Sequence, residues 1–176
     1  LFEITATTTV ARILERDDFA RRWAAHQPIS MLEMLYPFAQ GYDSVAVEAD
    51  IEIGGTDQVF NLFMGRDLQA HFGQEPQAIM TLDILPGTDG TERMSKSTGN
   101  YVGVTEDPRD MYGKVMSIPD DVMLTYFRLL TPHHADELAR IEEDYERGAV
   151  SPRDLKARLA REIITRLRGA EAATAA

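Results

Sequence analysis

Between Thr91 and Tyr101 the chain reads Thr-Glu-Arg-Met-Ser-Lys-Ser-Thr-Gly-Asn-Tyr. Two permanent cations, Arg93 and Lys96, stand here beside three hydroxyl donors, Ser95, Ser97 and Thr98, followed by Gly99. Pro86, Gly87, Asp89 and Gly90 come just before, so the segment reads as a turn-rich loop. Such a group can wrap a polyphosphate. The cations offset its charge, the hydroxyls and backbone N–H groups donate, and Gly99 permits close approach. No Gly-x-x-x-x-Gly-Lys-Ser/Thr spacing occurs in the chain, so this is not a Walker loop. Taken alone, the composition also describes a solvated cationic loop.

Two further sets could carry chemistry. Ile53-Gly54-Gly55-Thr56-Asp57-Gln58 places two glycines and an acid between an extended segment and a helix start. Ligands of open α/β sheets sit outside the carboxyl ends of strands, where such glycines let a ribose approach the backbone and Asp57 accepts its hydroxyls. A tight turn with Asp57 as N-cap is the alternative. The third set is Tyr36-x-x-x-Gln40-x-x-Asp43, whose spacings of four and three share one helix face. A phenol, an amide and a carboxylate there could receive an ammonium and a hydroxyl; boundary residues with satisfied hydrogen bonds are the other reading.

Arg-Met-Ser-Lys-Ser-x-Gly-Asn resembles the Lys-Met-Ser-Lys-Ser motif of class I aminoacyl-tRNA synthetases, with Arg93 in place of the first lysine. All three sets follow the order and approximate separations seen in bacterial tyrosyl-tRNA synthetases, a likeness running from about Thr7 to Arg168. The resemblance implies roles residue by residue. Tyr36 and Gln40 would meet the substrate ammonium, Asp43 the tyrosine hydroxyl, and Gln58 the same pocket. Gly54 and Asp57 would hold the ribose. Lys96 and Arg93, with Met94 and Ser97 on the same loop, would act on the ATP phosphates. It also implies ATP with Mg²⁺ as co-substrate, tRNA(Tyr) as acceptor, a homodimer in the full-length enzyme and a cytoplasmic location.

The chain departs from the pattern in two respects. These residues do not include the small RNA-binding domain that many of these enzymes carry after the helical region. The family's His-x-Gly-His motif is also absent, the histidines being His26, His71, His133 and His134. His133-His134 reads as a helix start. With Leu1 rather than Met at the front, the expectation is a fragment lacking the first half of the nucleotide-binding domain and inactive by itself. Tryptophanyl relatives typically lack a glutamine at the place of Gln40. The alternatives from other classes are another nucleotidyltransferase and a non-catalytic module that binds tRNA or protein.

The elements that must position these residues alternate at first. Helices are predicted over Thr7–Leu14, Phe19–His26 (Trp23 on its apolar side) and Met31 to about Tyr42, capped by Ser30 with Glu33 and kinked or broken at Pro37. Val45–Ile53 reads as a strand, Asp57 to about His71 as a helix, and Gln77–Leu85 as a second strand. After that only helices are predicted: Pro108–Met116, Pro119–Leu130, Ala135–Glu146 and Pro152 to about Ala173, with a frayed end after Gly169. The fold class is therefore α/β, a partial Rossmann-like parallel sheet over residues 1–105, followed by an all-α domain over 106–176, which the resemblance implies would face the tRNA anticodon side. Half a sheet is expected to expose an unpaired edge and an apolar face.

The 176 residues are 44% hydrophobic and 27% charged, an ordinary globular composition. Zero cysteines exclude disulfides and thiolate metal sites. A formal charge of −11 argues against a nucleic-acid binder working by bulk attraction. The charge is uneven: Ser151–Arg168 carries a net +4 and the remainder −15. That suits a polyanion held at one place, or a solvated helix face.

Overall fold

The computed structural model describes residues Leu1–Ala176, which fold as two compact units, Leu1–Ile84 and Leu85–Ala176. The class is α/β, with a two-stranded parallel sheet and helices around it, followed by helices alone.

In the first unit, short helices α1 (Phe2–Thr5) and α2 (Val10–Ile13) lead to α3 (Asp17–Ala24) and then to α4 (Met31–Ala46). Ser30 caps α4 as expected. Its Oγ accepts from Glu33 N at 3.2 Å while Glu33 Oε2 accepts from Ser30 N at 2.8 Å. A cap of this kind contributes about 1 kcal/mol. Pro37 neither breaks nor ends the helix, which runs on to Ala46. Proline removes one backbone donor. Against that loss, Pro37, Phe38, Gly41, Ser44 and Val45 are all buried along α4.

The predicted strand Val45–Ile53 is therefore corrected: Val45 and Ala46 complete α4, and strand β1 is Ile51–Gly55. Burial of Val45 with Met64 and Leu68 keeps the helical phase, and Glu48 at φ 51° turns the chain out of it. Trp23 is also corrected, since it is 64% exposed while Phe19, one turn earlier, is 1% exposed.

From β1 the chain passes through a 3-10 turn, Thr56–Gln58, into α5 (Val59–His71), then returns as β2 (Ala78–Leu82). This is one parallel β-α-β unit, with Ile51 opposite Ala78 and Gly55 opposite Leu82. Both strands are edges, and one sheet face is open: Ile51, Ile53, Met80 and Leu82 are each more than half exposed. Helices α4 and α5 touch at two glycines. A Cβ on Gly41 would stand 3.1 Å from Gly65 N, and one on Gly65 would stand 2.7 Å from Ser44 Oγ. That approach brings the side chains flanking Gly41 onto α5.

The second unit starts with the cationic loop and continues as α6 (Pro108–Met116), α7 (Asp120–Leu130), α8 (Ala135–Glu146), α9 (Pro152–Arg168) and α10 (Ala170–Ala175). Gly169, at φ 91°, ends α9 earlier than predicted, and the alanine-rich end is a short helix with Ala173 buried rather than a frayed tail. Met111, Val115, Met123, Tyr126, Phe127, Leu159, Ala160 and Ile164 are fully buried and form its core. Each large apolar side chain there contributes roughly 1.5–3 kcal/mol by leaving water. Leu85, Met94 and Val102 pack on the same core, so the loop belongs to the helical unit by packing. The packing division falls after Ile84, whereas the change of element pattern falls near residue 105.

Candidate functional site

In the first unit, α4 carries Tyr36, Gln40 and Asp43, the end of β1 carries Gly54, and the turn after it carries Asp57 and Gln58. Three of these six are joined through a residue that the sequence alone does not mark. Asn61 Nδ2 donates to Gln40 Oε1 at 3.0 Å and to Gln58 Oε1 at 2.9 Å. Gln58 Nε2 in turn donates to Asp57 Oδ2 at 3.1 Å. The result is a continuous polar row, Gln40–Asn61–Gln58–Asp57, built from a helix, a second helix and a 3-10 turn.

Asn61 is 5% exposed, and its Oδ1 is buried without a hydrogen-bond partner. An orphaned buried acceptor is costly, on the order of 1–3 kcal/mol, so its retention calls for a role. One weak signal was present in the sequence: Asn61 stands three residues after Gln58, one helical turn on. The side chains of Tyr36, 67% exposed, and Asp43, also exposed, hydrogen-bond to no other residue. They extend the row along α4 as open groups. Taken together, the surface offers two carboxylates (Asp43 and Asp57), a phenol and the Gln40 and Gln58 amides oriented by Asn61, which suits a ligand bearing an ammonium and a hydroxyl.

The carboxyl ends of β1 and β2 lie side by side, Gly55 pairing with Leu82. The helix after β1 starts only at Val59, because Thr56–Gln58 forms the 3-10 turn. Asp57 therefore sits in the turn rather than capping the α-helix.

In the second unit, Thr91–Tyr101 is a folded turn rather than an open strap. Gly99 N donates to Ser95 O at 3.1 Å, and the Ser95 and Ser97 hydroxyls lie 2.7 Å apart. Thr98 Oγ1 donates to Ser95 O at 3.2 Å. Met94, counted among the ATP contacts by resemblance, turns its side chain to the helical core. Lys96, Ser97 and Arg93 are exposed. Lys96 makes no ion pair, which leaves its ammonium available to an anion. Asp89 at the base has its carboxyl held down to about 2, first by the Thr91 N–H, then by the Asn100 amide and the Glu92 N–H.

Elsewhere, His134 caps α8 as read from sequence. His133 lies 2.7 Å from Glu162 and 3.3 Å from Glu137. An open depression lined by Pro132, His133, Glu162, Thr165 and Arg166 contains none of the motif residues. No group of three His, Asp or Glu side chains is arranged to hold a metal ion. No helix is long and apolar enough to cross a membrane.

Residues 1–176 match the family described as tRNA synthetases class I (W and Y). The chain is 58% identical over 173 residues to a tyrosine–tRNA ligase of Moorella thermoacetica, covering 98% of this chain and 42% of that protein. It is 53% identical over 176 residues to the tyrosine–tRNA ligase of Coxiella burnetii, covering 44% of it. The chain thus spans under half the length of these curated relatives. Among solved structures, the tyrosyl-tRNA synthetase of Aeropyrum pernix superposes with a TM-score of 0.75 at 21% identity, covering 98% of this chain and 56% of that one. That of Archaeoglobus fulgidus complexed with L-tyrosine gives 0.71 at 23%, covering 98% and 60%. A tryptophanyl-tRNA synthetase from Campylobacter jejuni gives 0.52 at 16% over the same shares. At these identities the structures share the fold.

Proposed function

The chain belongs to the tRNA synthetases class I (W and Y), and from that premise we propose that it is the tyrosine-pocket and phosphate-loop part of a tyrosine–tRNA ligase. The observation that carries the reading is the hydrogen-bonded row Gln40–Asn61–Gln58–Asp57, with Tyr36 and Asp43 open beside it on α4. In this reading Asp43 accepts from the substrate phenol, while Tyr36 and Gln40 receive its ammonium. Gln58 closes the pocket, and Gly54 and Asp57 hold the ribose of ATP.

The tyrosine carboxylate attacks the α-phosphate of ATP. A bond forms between the carboxylate oxygen and that phosphorus, and the bond to pyrophosphate breaks. Tyrosyl then moves to a ribose hydroxyl of tRNA(Tyr), releasing AMP. No protein nucleophile is needed, so positioning and charge stabilisation carry the reaction. Lys96 and Arg93 take up charge as pyrophosphate leaves, and Ser97 adds a hydroxyl donor. Mg²⁺ would accompany the triphosphate. It would offset phosphate charge there.

The helical unit is proposed to meet tRNA on its anticodon side. Arg153, Arg161 and Arg168 are exposed on α9 and pair with no carboxylate, a basic surface on an otherwise acidic chain. A homodimer of the full-length protein and a cytoplasmic location belong to the same reading and rest on the family.

Tyrosine-dependent ATP–pyrophosphate exchange tests it, with phenylalanine and tryptophan alongside. His-x-Gly-His is absent from these residues. The chain alone is therefore expected to be silent, and activity to appear when the remainder of a full-length relative is added. Tyrosine should then far outrun phenylalanine, and Asp43→Ala should shrink that ratio. Exchange driven by tryptophan, or an unchanged ratio in the variant, would overturn the substrate assignment.

A further inference from the structure

We propose that Asp89 and Asn100 form a clasp that sets the positions of Arg93 and Lys96, which makes Asn100 a positioning residue of the phosphate loop. The inference rests on the reading of that loop given above.

Asn100 is only 7% exposed although it lies at the end of an otherwise exposed segment. Its side chain uses all it has. Nδ2 donates to Asp89 Oδ2 and to Arg93 O, the latter at 3.2 Å. Oδ1 accepts from Ser95 N at 2.8 Å and from Thr98 Oγ1 at 2.7 Å. Both amide protons and both lone pairs are thereby occupied. Its backbone carbonyl also accepts from Thr88 N at 2.9 Å.

Every one of these partners lies between Thr88 and Thr98, so one side chain closes the loop on itself. Two of the gripped atoms flank the cations directly: the carbonyl of Arg93 itself, and the N–H of Ser95 next to Lys96. Asp89 grips the other limb, accepting from the N–H groups of Thr91 and Glu92, each at 2.9 Å. Gly87 leaves room for the clasp, because a Cβ there would collide with the Asn100 amide. Outside it, Tyr126 on α7 donates from its hydroxyl to Pro86 O at 2.7 Å, tying the base of the loop to the helical core.

The chemistry of the pair is directional. Asp89 can only accept, and it faces two backbone donors and one amide donor. Asn100 must donate to Asp89 and accept from Ser95 and Thr98 at once. An aspartate at 100 would set two carboxylates against each other. An asparagine at 89 would turn a donor toward the Asn100 amide or the backbone N–H groups. A loop ordered in advance loses less freedom when an anion binds, so the clasp raises affinity without touching the ligand.

The test is a double-mutant cycle read by trypsin, which cuts after Arg93 and Lys96. The variants are Asn100→Asp, Asp89→Asn and the reciprocal swap carrying both. Each single change should speed nicking at these two bonds about tenfold relative to cleavage after Arg153 and Arg161 in the same digest. The swap restores the amide–carboxylate contact but turns a carboxylate oxygen toward Arg93 O, so it should recover part of the loss and nick about threefold more slowly than either single. Inorganic tripolyphosphate should protect both bonds, and the singles should need about tenfold more of it for half-protection. Nicking unchanged in the singles, rising equally at the helical sites, or as fast in the swap as in the singles would overturn the clasp. Should the cycle hold while tripolyphosphate protects nothing, the clasp stands and the phosphate reading of the loop fails.

Discussion

Asn61 Nδ2 reaches Gln40 Oε1 at 3.0 Å across 21 positions of chain, and this contact exists because two glycines let α4 and α5 touch. Gly41 follows Gln40 directly, and Gly65 stands one turn after Asn61. The polar row is thus a product of helix packing.

A change at Asn61 should consequently act on the pocket at a distance. In Asn61→Leu the carbonyls of Gln40 and Gln58 lose their shared donor; the Gln40 amide is free to rotate, and Gln58 keeps only its bond to Asp57. Leaving such groups without partners costs on the order of 1–3 kcal/mol. Tyrosine affinity, measured by calorimetry on the active assembly, should fall roughly 5- to 100-fold, and Asn61→Asp, which has no donor, should not restore it. Affinity equal to the parent would make Asn61 a packing residue only.

Lys96 is expected to matter for the reaction and little for tyrosine. It is exposed and carries no ion pair, so Lys96→Ala should fold as the parent does. Single-turnover activation should slow by an amount equivalent to about 2–4 kcal/mol, since the contact strengthens as charge moves to pyrophosphate. A normal activation rate would take Lys96 out of the mechanism.

The second unit should have a defined pH range. Burial, and secondarily the charge of Asp89, pushes the Tyr126 hydroxyl up to about 12 from an ordinary 10.0. The folded unit holds this proton more tightly than the unfolded chain does. Its stabilisation is complete below the unfolded value and is lost as pH rises from about 10 to about 12. Asp89 works in the opposite sense. Its carboxyl is depressed from 3.8 to about 2, so its contribution is present above the unfolded value and fades as pH falls from about 4 through about 2. Thermal unfolding against pH should show both limbs. Tyr126→Phe should flatten the alkaline one at a constant cost of about 1 kcal/mol. An alkaline limb unchanged in the variant would assign it to other groups.

The face of α9 should read RNA by charge. Replacing Arg153, Arg161 and Arg168 by alanine together should weaken tRNA binding and lower the salt dependence, each phosphate contact contributing about 0.7–0.9 to the slope of log K against log salt. Filter binding across a salt series measures it. An unaltered slope would show that the arginines face solvent in the complex.

Much of this protein was legible in its sequence because the relevant signals are local. Asp107 followed by Pro108 and the acids after His134 mark helix starts, and the bounds of α6 and α8 agree with the predicted ones residue for residue. Ser30 and Glu33 mark another start, and the motif residues announce themselves by type and spacing. Where signals compete, the tertiary structure decided. Val45 suits a strand by its branching, yet it stays in α4 because its side chain is buried with Met64 and Leu68. Pro37 suits a break, yet the helix continues through it with Phe38 and Gly41 buried just beyond. Asn61 carries only a weak local signal and Asn100 is marked only as the last residue of the loop motif, since an asparagine's worth depends on which donors and acceptors packing brings to it. Those partners are helices and loop limbs meeting in space, and spacing along the chain does not encode that meeting.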